Sequence, residues 1–320
     1  GTMRVIRNRP GSTGGAIVSG RCSVAIGNFD GVHLGHQALV DRCREQAGNR
    51  DAVAVVTFEP LPQAHFQPDR GPARLSTVYG KLDSLRRLGV DLCWLMRFDG
   101  ALANLGARTF AEQVLATGLN ARSVAVGADF RFGRGREGDL ELLAELGREF
   151  DFSVETVPAV TWKGERISST GIRRKLARGD FASAADCLGR PFRMEGRVIR
   201  GAGLGRKLGY PTANLRIRST PSPLGGVLAA FARAGTGPWM PAVCNLGRRP
   251  AVGGGEPLLE VHFFDFDEDI YGKRLEVQFV AKLRDEQDFE SIEDLVARMK
   301  QDEQEARQIL ADVNLPDRVA

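Results

Sequence analysis

The chain predicts an α/β protein in two parts: a parallel sheet flanked by helices, then a smaller antiparallel β domain closed by a C-terminal helix. Three observations carry that prediction. The length, 320 residues, is two domains at about 150 residues each. Short β-branched runs alternate with amphipathic stretches as far as Val157, the pattern of a parallel sheet with helices on both faces. After Gly189-Arg190-Pro191 the chain turns to short alternating strands separated by glycine-rich turns, the pattern of an antiparallel sheet or small barrel.

In chain order, strands are expected at 22–26, 52–57, 92–96, 123–126 and 152–157, with helices at 35–46, 77–88, 107–117 and 138–146 between them. Helical stretches at 171–178 and 181–188 follow. In the second part, strands are expected at 193–200, 227–234, 242–246, 258–264 and 275–283. Ser291 and Asp294 have capping-box spacing, and Ile292, Leu295, Val296, Met299, Ile309 and Leu310 recur at helical period, so one helix ends the chain. The domain boundary is expected near residue 186, giving 1–186 and 187–320.

Composition narrows the function classes. Lys and Arg number 44 against 40 Asp and Glu, a formal charge of +4. That suits ligands bearing phosphate but falls short of the dense basic surface of a nucleic-acid binder, so no nucleic-acid partner is expected. The five cysteines are odd in number and widely spaced, without a CxxC pair. A disulfide framework and a cysteine-rich zinc site are thus disfavoured, and a cytoplasmic location is expected. No apolar run approaches the roughly 20 residues of a membrane helix and no signal peptide opens the chain, so no membrane partner is expected. Glycine, at 38 residues, exceeds its usual share of about 7 %. Histidine numbers only 4, which makes any clustering of histidines informative.

Two of those histidines fall in Gly27-Asn28-Phe29-Asp30-Gly31-Val32-His33-Leu34-Gly35-His36, directly after the first strand and opening a helix. Glycines there let the backbone turn sharply and approach a ligand closely. A helix N-terminus offers N–H groups to an anion, and imidazole N–H groups add to them. A His-x-x-His pair supplies two ligands where zinc takes three or four, so a metal site is disfavoured. No nucleophile accompanies the histidines, which points to positioning and charge stabilisation. Further on, Ser168, Ser169 and Thr170 precede a helical stretch, where they can cap it or hold phosphate, and Arg173 falls on its first turn.

Gly27–His36 resembles the signature of the adenylyltransferase superfamily that holds the cytidylyltransferases and the FMN adenylyltransferase module. Three further motifs narrow the resemblance to the prokaryotic bifunctional riboflavin kinase/FAD synthetase family: Thr57-Phe58-Glu59-Pro60-Leu61-Pro62, Gly127-Ala128-Asp129-Phe130-Arg131-Phe132-Gly133, and Ile167-Ser168-Ser169-Thr170-Gly171-Ile172-Arg173. The resemblance implies a Rossmann-like nucleotidyltransferase domain. It implies ATP and phosphate contacts from Gly27, Asn28, Phe29, Gly31, Gly35, Ser168, Ser169 and Thr170, and catalytic roles for His33, His36 and Arg173. It implies flavin contacts from Phe58, Pro60, Asp129, Phe130 and Phe132. Leu61 departs from the family, which usually has histidine there.

The second part opens with Gly201-Ala202-Gly203-Leu204-Gly205-Arg206-Lys207-Leu208-Gly209-Tyr210-Pro211-Thr212-Ala213-Asn214. Its glycine spacing is not a dinucleotide fingerprint, because no βαβ unit surrounds it. Between antiparallel strands such a loop can bring backbone N–H groups to phosphate. Thr212 and Asn214 share one side of an extended segment, and their oxygens suit Mg²⁺; a capped turn is the alternative. This stretch resembles the Pro-Thr-Ala-Asn motif of riboflavin kinases. The resemblance implies a small antiparallel β-barrel, with Gly201, Gly203, Gly205 and Lys207 on the ATP phosphates, Thr212 and Asn214 on Mg²⁺, and Glu260 as base on the riboflavin 5′-hydroxyl. Asn245–Pro250 and Tyr271-Gly272 are further landmarks, while Leu228 and Ala251 depart from the family pattern. His262, two residues beyond Glu260, is either a neighbour in the pocket or core.

The function implied is phosphorylation of riboflavin by ATP to FMN with release of ADP, then adenylylation of FMN to FAD with release of pyrophosphate. Two rivals remain at this stage: an adenylyltransferase for another acceptor with a regulatory barrel, and a barrel that binds single-stranded nucleic acid. The second is weak, since such surfaces need exposed aromatics along a basic groove, and the barrel's tyrosines are only Tyr210 and Tyr271.

Overall fold

The computed structural model describes residues 1–12, 14–68, 71–201, 209–217, 221–247 and 258–316. The chain divides into two compact units, one of Gly1–Pro72 with Ser76–Ser169, the other of Ala73–Leu75 with Thr170–Ala320.

The first unit contains β1 (Arg4–Ile6), β2 (Cys22–Ile26), α1 (Leu34–Ala47), β3 (Ala52–Glu59), α2 (Pro62–Phe66), α3 (Val78–Arg87) and β4 (Leu92–Arg97). It continues with α4 (Gly100–Ala103), α5 (Ala107–Phe110), β5 (Ala121–Gly127), α6 (Leu140–Phe150), β6 (Ser153–Val157) and a hairpin of β7 (Thr161–Trp162) and β8 (Glu165–Arg166). Six strands form one sheet in the order β1-β4-β3-β2-β5-β6, and all neighbours run parallel. Side chains alternate between the faces as strand geometry requires. Val24, Ile26, Ala54, Val56, Trp94 and Met96 pack with Phe110 and Leu143 on one face. Ala25, Val53, Val55, Cys93 and Leu95 pack with Leu39, Val40, Cys43 and Leu85 on the other.

The strand order reverses at β2, whose neighbours are β3 on one side and β5 on the other. At such a switch point the loops leaving the carboxyl ends diverge and open a crevice. The loops concerned here are the one from β2 to α1 and the one following β5. Both were singled out from the sequence.

The second unit holds most of α7 (Ser169–Ala177), then α8 (Phe181–Leu188), β9 (Arg193–Ile199), β10 (Ala213–Arg216), β11 (Gly226–Ala234), β12 (Met240–Leu246), β13 (Leu258–Phe263), β14 (Arg274–Arg284) and α9 (Ile292–Ala311). Six antiparallel strands close into a barrel in the order β10-β13-β12-β11-β14-β9. Closure leaves no unpaired edge, which settles the choice between open sheet and barrel. The helix α8 packs on this unit through Phe181, whose ring stacks on Phe279 at 5.8 Å. Gly179 bears left-handed φ (+79°), and a Cβ there would collide with Lys282.

The helix α9 begins at Ser291, whose hydroxyl accepts the Asp294 N–H at 3.1 Å, as the capping pattern predicts. Its Ala306 and Leu310 pack with Ala229, Phe231, Trp239 and Phe264. The buried side chain of Asp302 takes two hydrogen bonds from Arg284 Nε and Nη2 (3.0 and 2.8 Å) and faces Arg298 Nε at 3.3 Å. Breaking a buried pair leaves the other charge uncompensated. Asp302→Ala is therefore expected to cost about 3–5 kcal/mol of unfolding free energy, measured by urea denaturation.

Several short elements escaped the sequence reading: β1, α2, α4, β10 and the β7–β8 hairpin. Each is five residues or fewer, too short for a period to register. The stretch 107–117 is also not one α-helix. After α5 it widens into a π-helix over Ala111–Gly118, and its last residue packs on Trp94, whose Cζ3 would lie 2.6 Å from a Cβ on Gly118.

Candidate active sites

In the first unit the site grows from the end of β2. Gly27 still donates to Val56 O (3.1 Å), and the loop then turns through left-handed backbone at Phe29 (φ +52°), Gly31 (+85°) and Val32 (+43°). For Phe29 and Val32 this conformation costs about 1–3 kcal/mol each. Both side chains are almost wholly buried in the core, which offsets the strain. The Phe29 ring is thus a core ring, and its expected part in phosphate binding is confined to its backbone.

His33 caps α1. Its Nδ1 accepts the amides of Gly35 (3.0 Å) and His36 (3.3 Å), while His36 Nδ1 accepts the His33 amide (3.2 Å). The two rings stack with centroids 3.6 Å apart. Because each Nδ1 is an acceptor, the proton of each ring sits on Nε2. Gly35 is required by this arrangement, since a Cβ would stand 2.8 Å from His33 Cε1. The sequence suggested open helix N-terminal amides and added imidazoles. In the structure His33 takes up two of those amides, and Gly31 N donates to Ser76 Oγ at 3.1 Å.

Ser169 joins this group through its hydroxyl, which donates to the Asp30 carbonyl at 3.0 Å. Ser168 immediately precedes α7. Thr170 and Arg173 continue along the same helix but belong to the other compact unit, where Arg173 Nε donates to Ala73 O at 2.5 Å. Asn28 turns its carbonyl inward to the buried Lys81 (Nζ at 2.8 Å) and to Thr57 Oγ1 (3.0 Å). Neither Lys81 nor Thr57 was singled out for a role from the sequence; the signal is a lysine on the inward stripe of α3.

Of the residues expected to contact flavin, Phe58 and Phe130 are partly buried against the sheet core, and Pro60 is exposed. Phe132 is a core ring, stacked on Phe130 at 5.5 Å and tilted against Phe110, which leaves Phe130 as the outer ring of the pair. Asp129 is exposed and ion-paired with Arg166 on β8. At the carboxyl ends of β3 and β4, Phe58, His65, Phe66 and Phe98 meet edge to face at 5.2–5.9 Å, and Phe66 is 64 % exposed. The sequence pointed to Phe58 alone of these as a flavin contact, because the cluster exists only once β3 and β4 lie side by side. Leu61, where the family usually has histidine, is buried and caps α2 without a side-chain hydrogen bond.

In the second unit the site is a cavity of about 590 Å³ between the barrel and α9, a size suited to a small-molecule ligand. Thr212, Asn214, Asn245, Glu260 and His262 line it from the barrel, and Glu286, Phe289, Leu295 and Met299 from the other side. Glu260 on β13 pairs in register with Asn214 on β10 and with Asn245 on β12, so the three stand in one row across three strands. Burial first, and then the charge of Glu286, push the Glu260 carboxyl above the usual carboxylate range; the hydrogen bond from Asn245 opposes them. His262 donates from Nδ1 to the Pro211 carbonyl (3.0 Å), next to Thr212, so it is a pocket residue that pins the approach to β10.

Gly201 lies against Asn214, whose amide a Cβ would strike. Gly203, Gly205, Lys207 and Ala251 lie outside the described residues. Leu228, the other departure from the family pattern, is fully buried on β11. Among the described residues no group of three or more His, Cys, Asp or Glu could hold a metal ion. The oxygen donors of Thr212 and Asn214, sharing the cavity with Glu260, are the hard type that Mg²⁺ takes together with phosphate.

Residues 17–171 match the family model described as FAD synthetase, and residues 188–310 match that described as riboflavin kinase. The bifunctional riboflavin kinase/FMN adenylyltransferase of Escherichia coli K12 is 42% identical over 288 residues, covering 90% of this chain and 92% of the relative. That of Pseudomonas fluorescens is 42% identical over 292 residues, covering 91% and 93%. A crystal structure from Streptococcus pneumoniae, described as a macrolide-efflux protein, aligns with a TM-score of 0.79 at 30% identity, covering 95% of this chain and 99% of that one. Among the described residues no helix of the present chain is long and apolar enough to cross a membrane. Carrying both family regions in one polypeptide, and similar to these relatives along most of its length, the chain belongs to the bifunctional riboflavin kinase/FMN adenylyltransferase family.

Proposed function

We propose that the cavity of the second unit phosphorylates riboflavin and that the β2–α1 loop of the first adenylylates the FMN produced, with residues 187–320 and 1–186 as the two functional halves. ATP is the donor in both reactions. In the kinase step the 5′-hydroxyl of riboflavin attacks the γ-phosphorus of ATP, its proton passes to a Glu260 carboxylate oxygen, and ADP leaves. The observation that carries this reading is the Asn214–Glu260–Asn245 row on the cavity wall. Thr212 and Asn214 would hold Mg²⁺, which neutralises charge on the ATP phosphates. Gly201 and the following Gly203, Gly205 and Lys207 would bind those phosphates.

In the adenylyl step an oxygen of the FMN phosphate attacks the α-phosphorus of ATP and pyrophosphate leaves. That oxygen is already ionised near neutral pH, so no protein base is needed. His33 and His36 donate from Nε2 to the charge that builds on the transferring phosphoryl group. Ser169 holds the loop, and Ser168 lies beside the phosphates. The exposed Phe66 ring and the outer Phe130 ring offer faces to the flat flavin ring, with Phe58 and Phe132 as their support and Pro60 and Asp129 at the rim. The buried thiols of all five cysteines accord with a cytoplasmic enzyme.

Purified protein given riboflavin, ATP and MgCl₂ is expected to form FMN and ADP, then FAD and pyrophosphate, resolved by chromatography. Removing divalent cations with EDTA is expected to stop FMN formation. FMN formation in metal-free buffer would discard the role given to Thr212 and Asn214. Absence of FMN with Mg²⁺ present would discard the kinase assignment.

A further inference from the structure

We propose that Lys81 is a positioning residue for adenylyl transfer, an ammonium sealed beneath the β2–α1 loop that fixes where the loop begins. This rests on the reading of that loop as the adenylyl-transfer site. Lys81 is fully buried on α3. Its Nζ donates to Asn28 O at 2.8 Å, to Thr57 Oγ1 and Phe58 O at 3.2 Å each, and pairs with Glu59 Oε1 at 2.8 Å. Thr57 Oγ1 in turn donates to Asn28 O at 3.0 Å.

A methionine would fill the same space in a core without the desolvation of a charge. What only the ammonium supplies is three divergent donors that gather oxygens from two different strand ends. Those ends are the carboxyl ends of β2 and β3, where the loops of the site emerge. Asn28 is followed at once by Phe29 and soon by Val32, both in left-handed backbone that non-glycine residues seldom adopt. The loop's path is therefore imposed by what holds it, and His33 and His36 stand at its far end. A misplacement of about 1 Å at a reacting centre costs about 100-fold in rate.

The test is the double variant Lys81→Met/Glu59→Gln, which removes the two charges together and leaves neither ion buried alone. Its kcat for FAD formation from supplied FMN is expected to fall about 100-fold, with little change in the KM for FMN. Its FMN formation from riboflavin and its unfolding midpoint are expected to stay near the parent's. Thr57→Val keeps the shape and both charges while removing one bond to Asn28, and is expected to lower the same kcat several-fold. His36→Ala in the same assay reports whether the loop is the site.

A folded double variant with parental kcat, while His36→Ala has lost FAD formation, would show that Lys81 only neutralises Glu59 and would overturn the proposal. Should the double variant not fold, Thr57→Val decides: an unchanged kcat overturns the proposal and a several-fold loss at constant KM supports it. Retained FAD formation in His36→Ala overturns the reading of the loop and the proposal with it.

Discussion

Glu260→Gln is expected to lower riboflavin phosphorylation by 10²–10⁴-fold, the usual contribution of a positioned base, and to leave FAD formation from supplied FMN unchanged. The amide keeps the shape and the hydrogen-bonding partner Asn245 but cannot accept the hydroxyl proton. The pH profile gives a second reading of the same residue. Burial and Glu286 hold the Glu260 carboxyl above the usual carboxylate range, so kcat is expected to fall, as pH drops, at a higher pH than an ordinary glutamate would dictate. Glu286→Gln removes one of the two causes and should move that acid limb downward.

The sign of the stability effect follows from the same direction. The folded state binds the Glu260 proton more tightly than the unfolded chain, where the value is about 4.5. Its contribution is present in full below the unfolded value and is lost as pH rises through the folded one, because ionising the buried carboxylate costs stability. Glu260→Gln should therefore unfold at the same or a higher urea concentration than the parent at neutral pH. A variant both inactive and destabilised there would mean that the carboxylate is structural.

The second large effect is expected for His36→Ala. Loss of one preorganised donor to a developing phosphate charge costs about 10²–10³-fold, and the ring also supports the stacked His33. FAD formation should fall by at least that factor while FMN formation from riboflavin continues, followed in one reaction mixture by chromatography. Loss of both activities in a folded variant would refute the assignment of one reaction to each unit. His33→Ala is the less selective probe, because it also removes the cap of α1, worth about 0.5–2 kcal/mol.

Much of the fold was legible because its signals are local. The runs 22–26 and 181–188 coincide with β2 and α8, and the Ser291 cap with the start of α9. The glycine and histidine spacing of 27–36 pointed to a phosphate loop without any view of its shape. The row formed by Asn214, Glu260 and Asn245 was half legible. All three stand in segments marked as motifs, yet β10 is only four residues long and its register with β13 is a property of barrel closure. The edge-to-face group of Phe58, His65, Phe66 and Phe98 was not legible, since strand order alone brings β3 beside β4.

The sequence by itself determined the two-part architecture, the parallel and antiparallel character of the parts, and the segments proposed to carry the chemistry. Those follow from periodicity and from residue types that only certain turns and ligands call for. The tertiary structure decided what each donor does. It turned Phe29 and Phe132 into core rings, spent the Gly31, Gly35 and His36 amides on internal bonds, placed Lys81 beneath Asn28, and lifted the Glu260 carboxyl above its ordinary range. The physical reason is that hydrogen-bond occupancy, burial and electrostatic environment are set by neighbours distant in the chain, and only packing makes them neighbours.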